Sequence, residues 1–330
     1  MQQHQAMAAR RLMAVAIALA TTILSGMASA QGLGAGKPLQ FVVPFAAGGA
    51  SDTIARALAH RLSPELGQPV VVDNKPGANG VVGLAAVARA LPETPTIGLG
   101  ATATLALNPA LAKLPYDSDK DLRAVAQIGT SKVVLLVHPG LGARTLETLI
   151  AAARAKPGAL NYGSPGIGHS YHLMGELLKR QAGIEMAHIP YKGDSPALQD
   201  LLAGRIQLMF APLAAALPFI ASGGVQPVAL ASTARSDKLP DVPTFAELGW
   251  KGFEEGSWFG IVAPGRAPDT AIARLDAAIA KSLDDTGLRQ TYAQLGVDVN
   301  YLPADKFSAF VAAETAKWAR LVKAIDLKID

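Results

Sequence analysis

The chain has 330 residues, half of them hydrophobic and 17% charged, which is length enough for two domains and excludes a disordered or low-complexity protein. It contains no cysteine, so disulfides, thiolate metal sites, iron–sulfur clusters, a Cys nucleophile and a lipid-modified Cys are excluded. The net charge of +4 comes from scattered basic residues among 5% aromatics, which offers no basic stripe for nucleic acid.

Arg10 and Arg11, the apolar residues 12–24 and Ala28-Ser29-Ala30 before Gln31 follow the order of a secretory signal peptide. This predicts cleavage after residue 30 and a periplasmic chain. Removing Arg10 and Arg11 would lower the net charge to about +2. Residues 31–37 then read as a Gly-rich leader. No apolar run of eighteen or more follows the first thirty residues.

Residues 39–44 read as a buried strand, followed by a Gly-rich turn and a helix. In that helix Ile54, Leu58 and Leu62 repeat at i, i+4, i+8 before Gly67. A Val-rich strand at 69–72, the turn from Asn74 to Gly80, a helix ending near Ala90 and a strand at 96–100 continue the pattern. The rhythm returns with strands at 133–137, 160–162, 187–191, 206–210, 227–231 and 257–263. Helices at 146–155, 171–181, 196–203 and 214–221 lie between them. Residues 268–282, 286–295 and 304–325 read as helices, with a short strand at 297–299. This alternation predicts βαβ units on parallel sheets in two lobes.

Gly48-Gly49-Ala50-Ser51-Asp52 forms the first strand-to-helix turn. Such a turn suits a carboxylate or phosphate, because free N–H groups and partial positive charge face the ligand. It serves equally as a plain tight turn capped by Ser51 or Asp52. Residues 160–170 form a second turn of this kind, with Ser164, Gly168, His169 and Ser170 ahead of a helix. Thr102, Thr104, Gly193 and Asp194 also fall where strands meet helices, at the sheet edge where open α/β folds bind ligands. Pro196 reads as the first helical residue there. His169 and His172 stand at i, i+3 without a third ligand, so no metal site is expected, and His172 reads as an inward residue. No Gly-x-Ser-x-Gly elbow, dinucleotide fingerprint or P-loop is present.

Several segments together resemble the Bug-type solute receptors of tripartite tricarboxylate transporters. They include Pro44-Phe45-Ala46-Ala47-Gly48-Gly49, Asn74-Lys75-Pro76-Gly77-Ala78-Asn79-Gly80, Asn108-Pro109-Ala110-Leu111, Tyr162-Gly163-Ser164, His188-Ile189-Pro190-Tyr191, Leu239-Pro240-Asp241-Val242-Pro243 and Trp258-Phe259-Gly260. The resemblance runs over about residues 39–325. It implies an α/β, two-lobed Venus-flytrap of the type II periplasmic binding protein fold, with chain crossings near 131–138 and 257–263. Lobe 1 would hold 38–133 plus 262–330, and lobe 2 would hold 134–261. It implies a small organic acid or amino-acid-like ligand whose carboxylate is held by backbone N–H groups, hydroxyls and water, without cofactor, metal or catalysis. The candidate ligand-binding residues are Phe45, Ala47, Gly48, Gly49, Ser51, Thr102, Thr104, Ser164, Gly168, His169, Ser170, Gly193 and Asp194. Membrane permease subunits are the implied partners of a monomeric receptor. A periplasmic sensing subunit and a secreted α/β hydrolase are the rival readings. Two departures bear on the ligand: Ala211 stands where the family often has Asp, and Asp194 where many members have a small neutral residue.

Overall fold

The computed structural model describes residues 37–191, 193–253 and 256–324. The expected signal peptide at 1–30 and the rest of the leader to residue 36 lie outside the described residues. Among the described residues no helix is long and apolar enough to cross a membrane.

Two sheets organise the chain. In the first, β1 (Leu39–Val43) pairs in parallel with β2 (Val70–Asn74) and β3 (Thr96–Ala101). β10 (Ser257–Pro264) runs antiparallel between β3 and β4 (Leu122–Ser131). The short β11 (Val297–Asp298) and β12 (Leu302–Pro303) pair with β4. In the second sheet β6 (Leu160–Ser164) pairs in parallel with β7 (Met186–Pro190) and β8 (Leu208–Pro212). β5 (Val133–Val137) lies antiparallel between β8 and β9 (Gln226–Ala231). The inserted antiparallel strand of each sheet is therefore the one that has just arrived from the other lobe. This is the two-lobed α/β architecture of periplasmic binding proteins.

The sequence explains these elements locally. β5 is five aliphatic residues, all buried, as a strand covered on both faces must be. α1 (Ala50–Leu66) buries Ile54, Leu58 and Leu62 fully against the first sheet and stops at Gly67, whose left-handed φ of 64° lets its N–H return to Pro64. α2 (Val81–Ala88) and the short α3 (Asn108–Leu111) follow. α4 (Leu146–Ala155) starts on Thr145, whose hydroxyl accepts from the Thr148 N–H at 3.2 Å. α5 (Ser170–Ala182), α6 (Asp194–Leu202) and α7 (Leu213–Ala221) complete the second lobe. α8 (Asp269–Leu283), α9 (Thr286–Gln294) and α10 (Ala304–Ala324) pack back on the first. Trp258 donates its Nε1–H to the buried Glu314 of α10 at 3.3 Å.

Four expectations change. The sheets are mixed, because β5 and β10 run against their neighbours. β4 is a ten-residue strand of the first sheet, absent from the sequence reading because Arg123, Gln127 and Gly129 interrupt its apolar run. The chain leaves the first sheet after Ser131, so Val133, assigned to the first lobe, pairs in the second sheet, and the chain returns before Ser257. Ser257 to Ile261, assigned to the second lobe, pair in the first sheet. Helix α6 begins at Asp194, so Pro196 is its third residue.

Candidate functional site

Four segments meet between the lobes around a cavity of about 450 Å³. From the first lobe come the start of α1 and a π-helical turn, Thr102–Leu107. The second lobe contributes the starts of α5 and α6.

At α1, Gly49 is the N-cap and no side chain caps the helix. Gly49, Ala50 and Ser51 line the cavity, so this helix presents its first N–H groups and partial positive charge to whatever fills it. The turn is fixed from behind. Asp52 accepts from the Gly48 N–H at 2.9 Å, from Arg56 Nε at 3.0 Å and from Asn74 Nδ2 at 2.9 Å. The Arg56 hydrogen bond, more than the others, holds its carboxyl at about 2. Asn74 also donates to the Phe45 carbonyl at 3.2 Å. Gly48 has φ +82°, a conformation that favours glycine, whereas Gly49 at −82° does not need it.

Of the expected residues, Phe45, Gly49, Ser51, Thr102, His169, Ser170, Gly193 and Asp194 border the cavity. Ala47, Gly48, Thr104, Ser164 and Gly168 do not. Thr104 is sealed, and its hydroxyl closes its own turn by bonding the Ala101 N–H at 2.9 Å and carbonyl at 3.2 Å. Gly168 spends its N–H on His172 Nδ1 at 3.1 Å. His172 is buried and stacks on His188 with ring centres 3.8 Å apart.

Ser164 is fully buried; its Oγ donates to the Gly166 carbonyl at 2.9 Å and lies 2.7 Å from His188 Nε2. With the hydroxyl proton on Gly166, His188 must be the donor to Ser164, the reverse of a general base activating a nucleophile. This Ser–His pair holds a loop. Burial, with help from neighbouring His172, pulls both His169 and His188 down to about 4, so both rings are neutral at neutral pH. Among the described residues no group of three His, Cys, Asp or Glu side chains is arranged to hold a metal.

His169 caps α5, its Nδ1 accepting from the Tyr171 N–H at 3.2 Å. Asp194 stands at the first position of α6, after Gly193 at φ +115°. Its Oδ1 is shut off from solvent with no hydrogen-bond partner, and burial raises its carboxyl to about 6. Sequence reasoning missed Asn79, Ser131, Tyr171, Ser257 and Phe259, which also line the cavity. Only Asn79 carried a local signal. It sits in an Asn-Gly turn at φ 50° and exchanges two hydrogen bonds with Asn108, at 2.9 and 3.0 Å. Ser131, Ser257 and Phe259 arrive through pairing of distant strands, and Tyr171 through the first turn of α5.

Residues 54–327 match the model of the tripartite tricarboxylate transporter family receptor. BugT of Bordetella pertussis is 35% identical over 97% of this chain and 98% of its own length. Among solved structures, the periplasmic binding protein BugD superposes with a TM-score of 0.75 at 33% identity, covering 88% of this chain and 98% of its own. An R. palustris protein with adipate superposes with a TM-score of 0.78 at 32% identity, covering 88% and 98%.

Proposed function

We propose, from the premise that this chain belongs to the tripartite tricarboxylate transporter receptor family, that it captures a small carboxylate in the cleft between its lobes and delivers it to membrane permease subunits. Family and fold are those of periplasmic solute-binding receptors. We read residues 1–30 as a cleaved export leader and the exported receptor as a monomer.

The observation that carries the reading is the uncapped start of α1 lining an interlobe cavity whose described lining contains no Lys or Arg. The carboxylate is held by the N–H groups of Ala50 and Ser51, with hydroxyls from Ser51, Thr102 and Ser170 and water filling the rest. Thr102 Oγ1 already accepts from the Trp258 N–H at 3.0 Å, so its own proton remains for the ligand. Helix-terminus attraction in a partly buried setting contributes up to about 2 kcal/mol, and bridging waters are nearly as favourable as direct bonds. The relative solved with adipate supports a carboxylate ligand.

Calorimetry on the ligand-stripped chain tests this, using a panel of small carboxylates and their methyl esters. The reading expects acids to bind and their esters not to. Equal binding of acid and ester removes the carboxylate from the account.

A further inference from the structure

We propose that this cleft selects an amino-carboxylate, with the ligand's ammonium on Asp194 and its carboxylate at the start of α1, and disfavours a second carboxylate. The inference rests on the carboxylate reading above and adds the chemistry of the ligand's other end.

The charge inventory of the cavity carries it. Among the described lining residues the ionisable side chains are His169, Tyr171 and Asp194. His169 uses Nδ1 to cap α5, and a buried ring in that role stays neutral. The Tyr171 hydroxyl lies 3.4 Å from Ser257 Oγ and stays protonated, because burial first and the Asp194 charge second oppose its ionisation. Asp194 is thus the ionised side chain of this lining at neutral pH.

That carboxylate is left without a complement. Its Oδ1 has neither solvent nor a hydrogen-bond donor, and no ion pair joins it to the described residues. Buried polar groups in folded proteins are ordinarily paired, and an exception calls for a reason. Asp194 borders the cavity, so a donor bound there compensates the charge through the carboxylate oxygen that is not shut off. The start of α6 would otherwise favour a ligand anion, but the protein's own carboxylate already stands at its first position. A ligand carboxylate at this end would meet a like charge in a low-dielectric pocket, where repulsion is poorly screened. An ammonium there neutralises Asp194 and supplies up to three donors. A hydroxyl supplies one donor and leaves the charge uncompensated. At the opposite end α1 offers uncapped N–H groups and no competing side chain. The cavity is therefore polarised, with partial positive charge on the first lobe and negative charge on the second, as a zwitterion requires.

The test is calorimetry at neutral pH on the ligand-stripped full chain. The probes are the L-amino acids and the matched pair 6-aminohexanoate and adipate, extended to shorter homologues of each. The expected result is an amino-carboxylate that binds at least about tenfold more tightly than any dicarboxylate of matched length. Asp194→Asn should weaken that ligand by about 30-fold or more, the loss typical of removing one partner of a buried charge pair. It should also narrow or reverse the preference over the dicarboxylate. Asp194→Ser, with a melting curve for each variant, separates loss of the charge from loss of the fold. Lys192→Gln is the internal control for a change of one charge beside Asp194 in the sequence.

The inference is overturned if a dicarboxylate binds the wild type more tightly, or if no compound bearing an amino group binds. It is equally overturned if an amino-carboxylate binds Asp194→Asn as well as wild type, or if Lys192→Gln reproduces the Asp194→Asn effect. Tight binding of a dicarboxylate leaves the carboxylate reading standing. That reading fails separately, when methyl esters bind as well as acids.

Discussion

The hydroxyls of Tyr171 and Ser257 lie 3.4 Å apart, and they belong to different lobes. Tyr171 is in the first turn of α5, while Ser257 opens β10 where the chain re-enters the first sheet. Both border the cavity, so the pair links the two halves of the cleft beside the chain crossing. Leu173, two residues further along α5, packs in the same cluster as Trp258 and Phe307 of the first lobe. The cleft thus has one end where the lobes already touch.

Tyr171→Phe removes the polar link and keeps the ring. A neutral hydrogen bond contributes about 0.5–1.5 kcal/mol, so ligand affinity should fall by up to about tenfold while the melting temperature changes little. Calorimetry beside a thermal melt checks this. A large drop in melting temperature with unchanged affinity would assign the pair to folding instead.

The α1 turn separates two glycines. Gly48→Ala places a side chain at φ +82° and should cost about 1–2 kcal/mol of stability. At Gly49 the backbone is ordinary and a Cβ would meet only the Ala46 carbonyl at 3.6 Å. Gly49→Ala should therefore stay within about 0.5 kcal/mol of wild type. Arg56 is half exposed and pairs with the buried Asp52, which keeps its Gly48 and Asn74 donors without it, so Arg56→Ala should leave affinity within about threefold. Urea titrations and calorimetry on the three variants decide it. Loss of binding in Arg56→Ala alone would put a salt bridge in place of the helix terminus.

His169 and His188 carry folded-state values near 4, below the ordinary 6.5. The unfolded chain then binds more protons between those values. Their contribution to stability is full above about pH 6.5 and is lost as pH falls towards 4. Asp194 works in the opposite sense, raised from 3.8 to about 6, so the empty protein loses stability as pH rises through that window. Melting curves from pH 4 to 7 on wild type, His188→Gln and Asp194→Asn separate the two. His188→Gln should flatten the acid-side loss, and Asp194→Asn should steepen the wild-type rise. Parallel curves for all three would contradict the assignment.

Gly260 of β10 faces the Phe307 ring so closely that a Cβ would sit 2.1 Å from it. Gly260→Ala forces α10 away from the sheet and should cost about 1–3 kcal/mol by overpacking. Chemical denaturation measures it, and an unchanged midpoint would mean that Phe307 repacks freely.

Much of the fold was readable because its carriers are local. Val133–Val137 and residues 146–155 match the structure at both ends, the first as an unbroken aliphatic run and the second as a helical run stopped by Pro157-Gly158. β4 was not, since Gln127 is buried there only by virtue of the β10 and β12 pairings, residues far along the chain. The site divides the same way. Gly49, Ser51 and Ser170 are visible as helix starts. Thr104 and Ser164 have the same composition around them, but their hydroxyls are consumed by Ala101 and by Gly166 with His188. Asp194 was visible as a residue; its isolation depends on packing that local spacing does not encode.

Mass spectrometry of the small molecule released from natively purified protein tests the central claim most directly. The account predicts a stoichiometric small carboxylic acid whose binding is lost on methyl esterification, and which carries a basic amino group. Release of a compound without a carboxyl group would contradict the account.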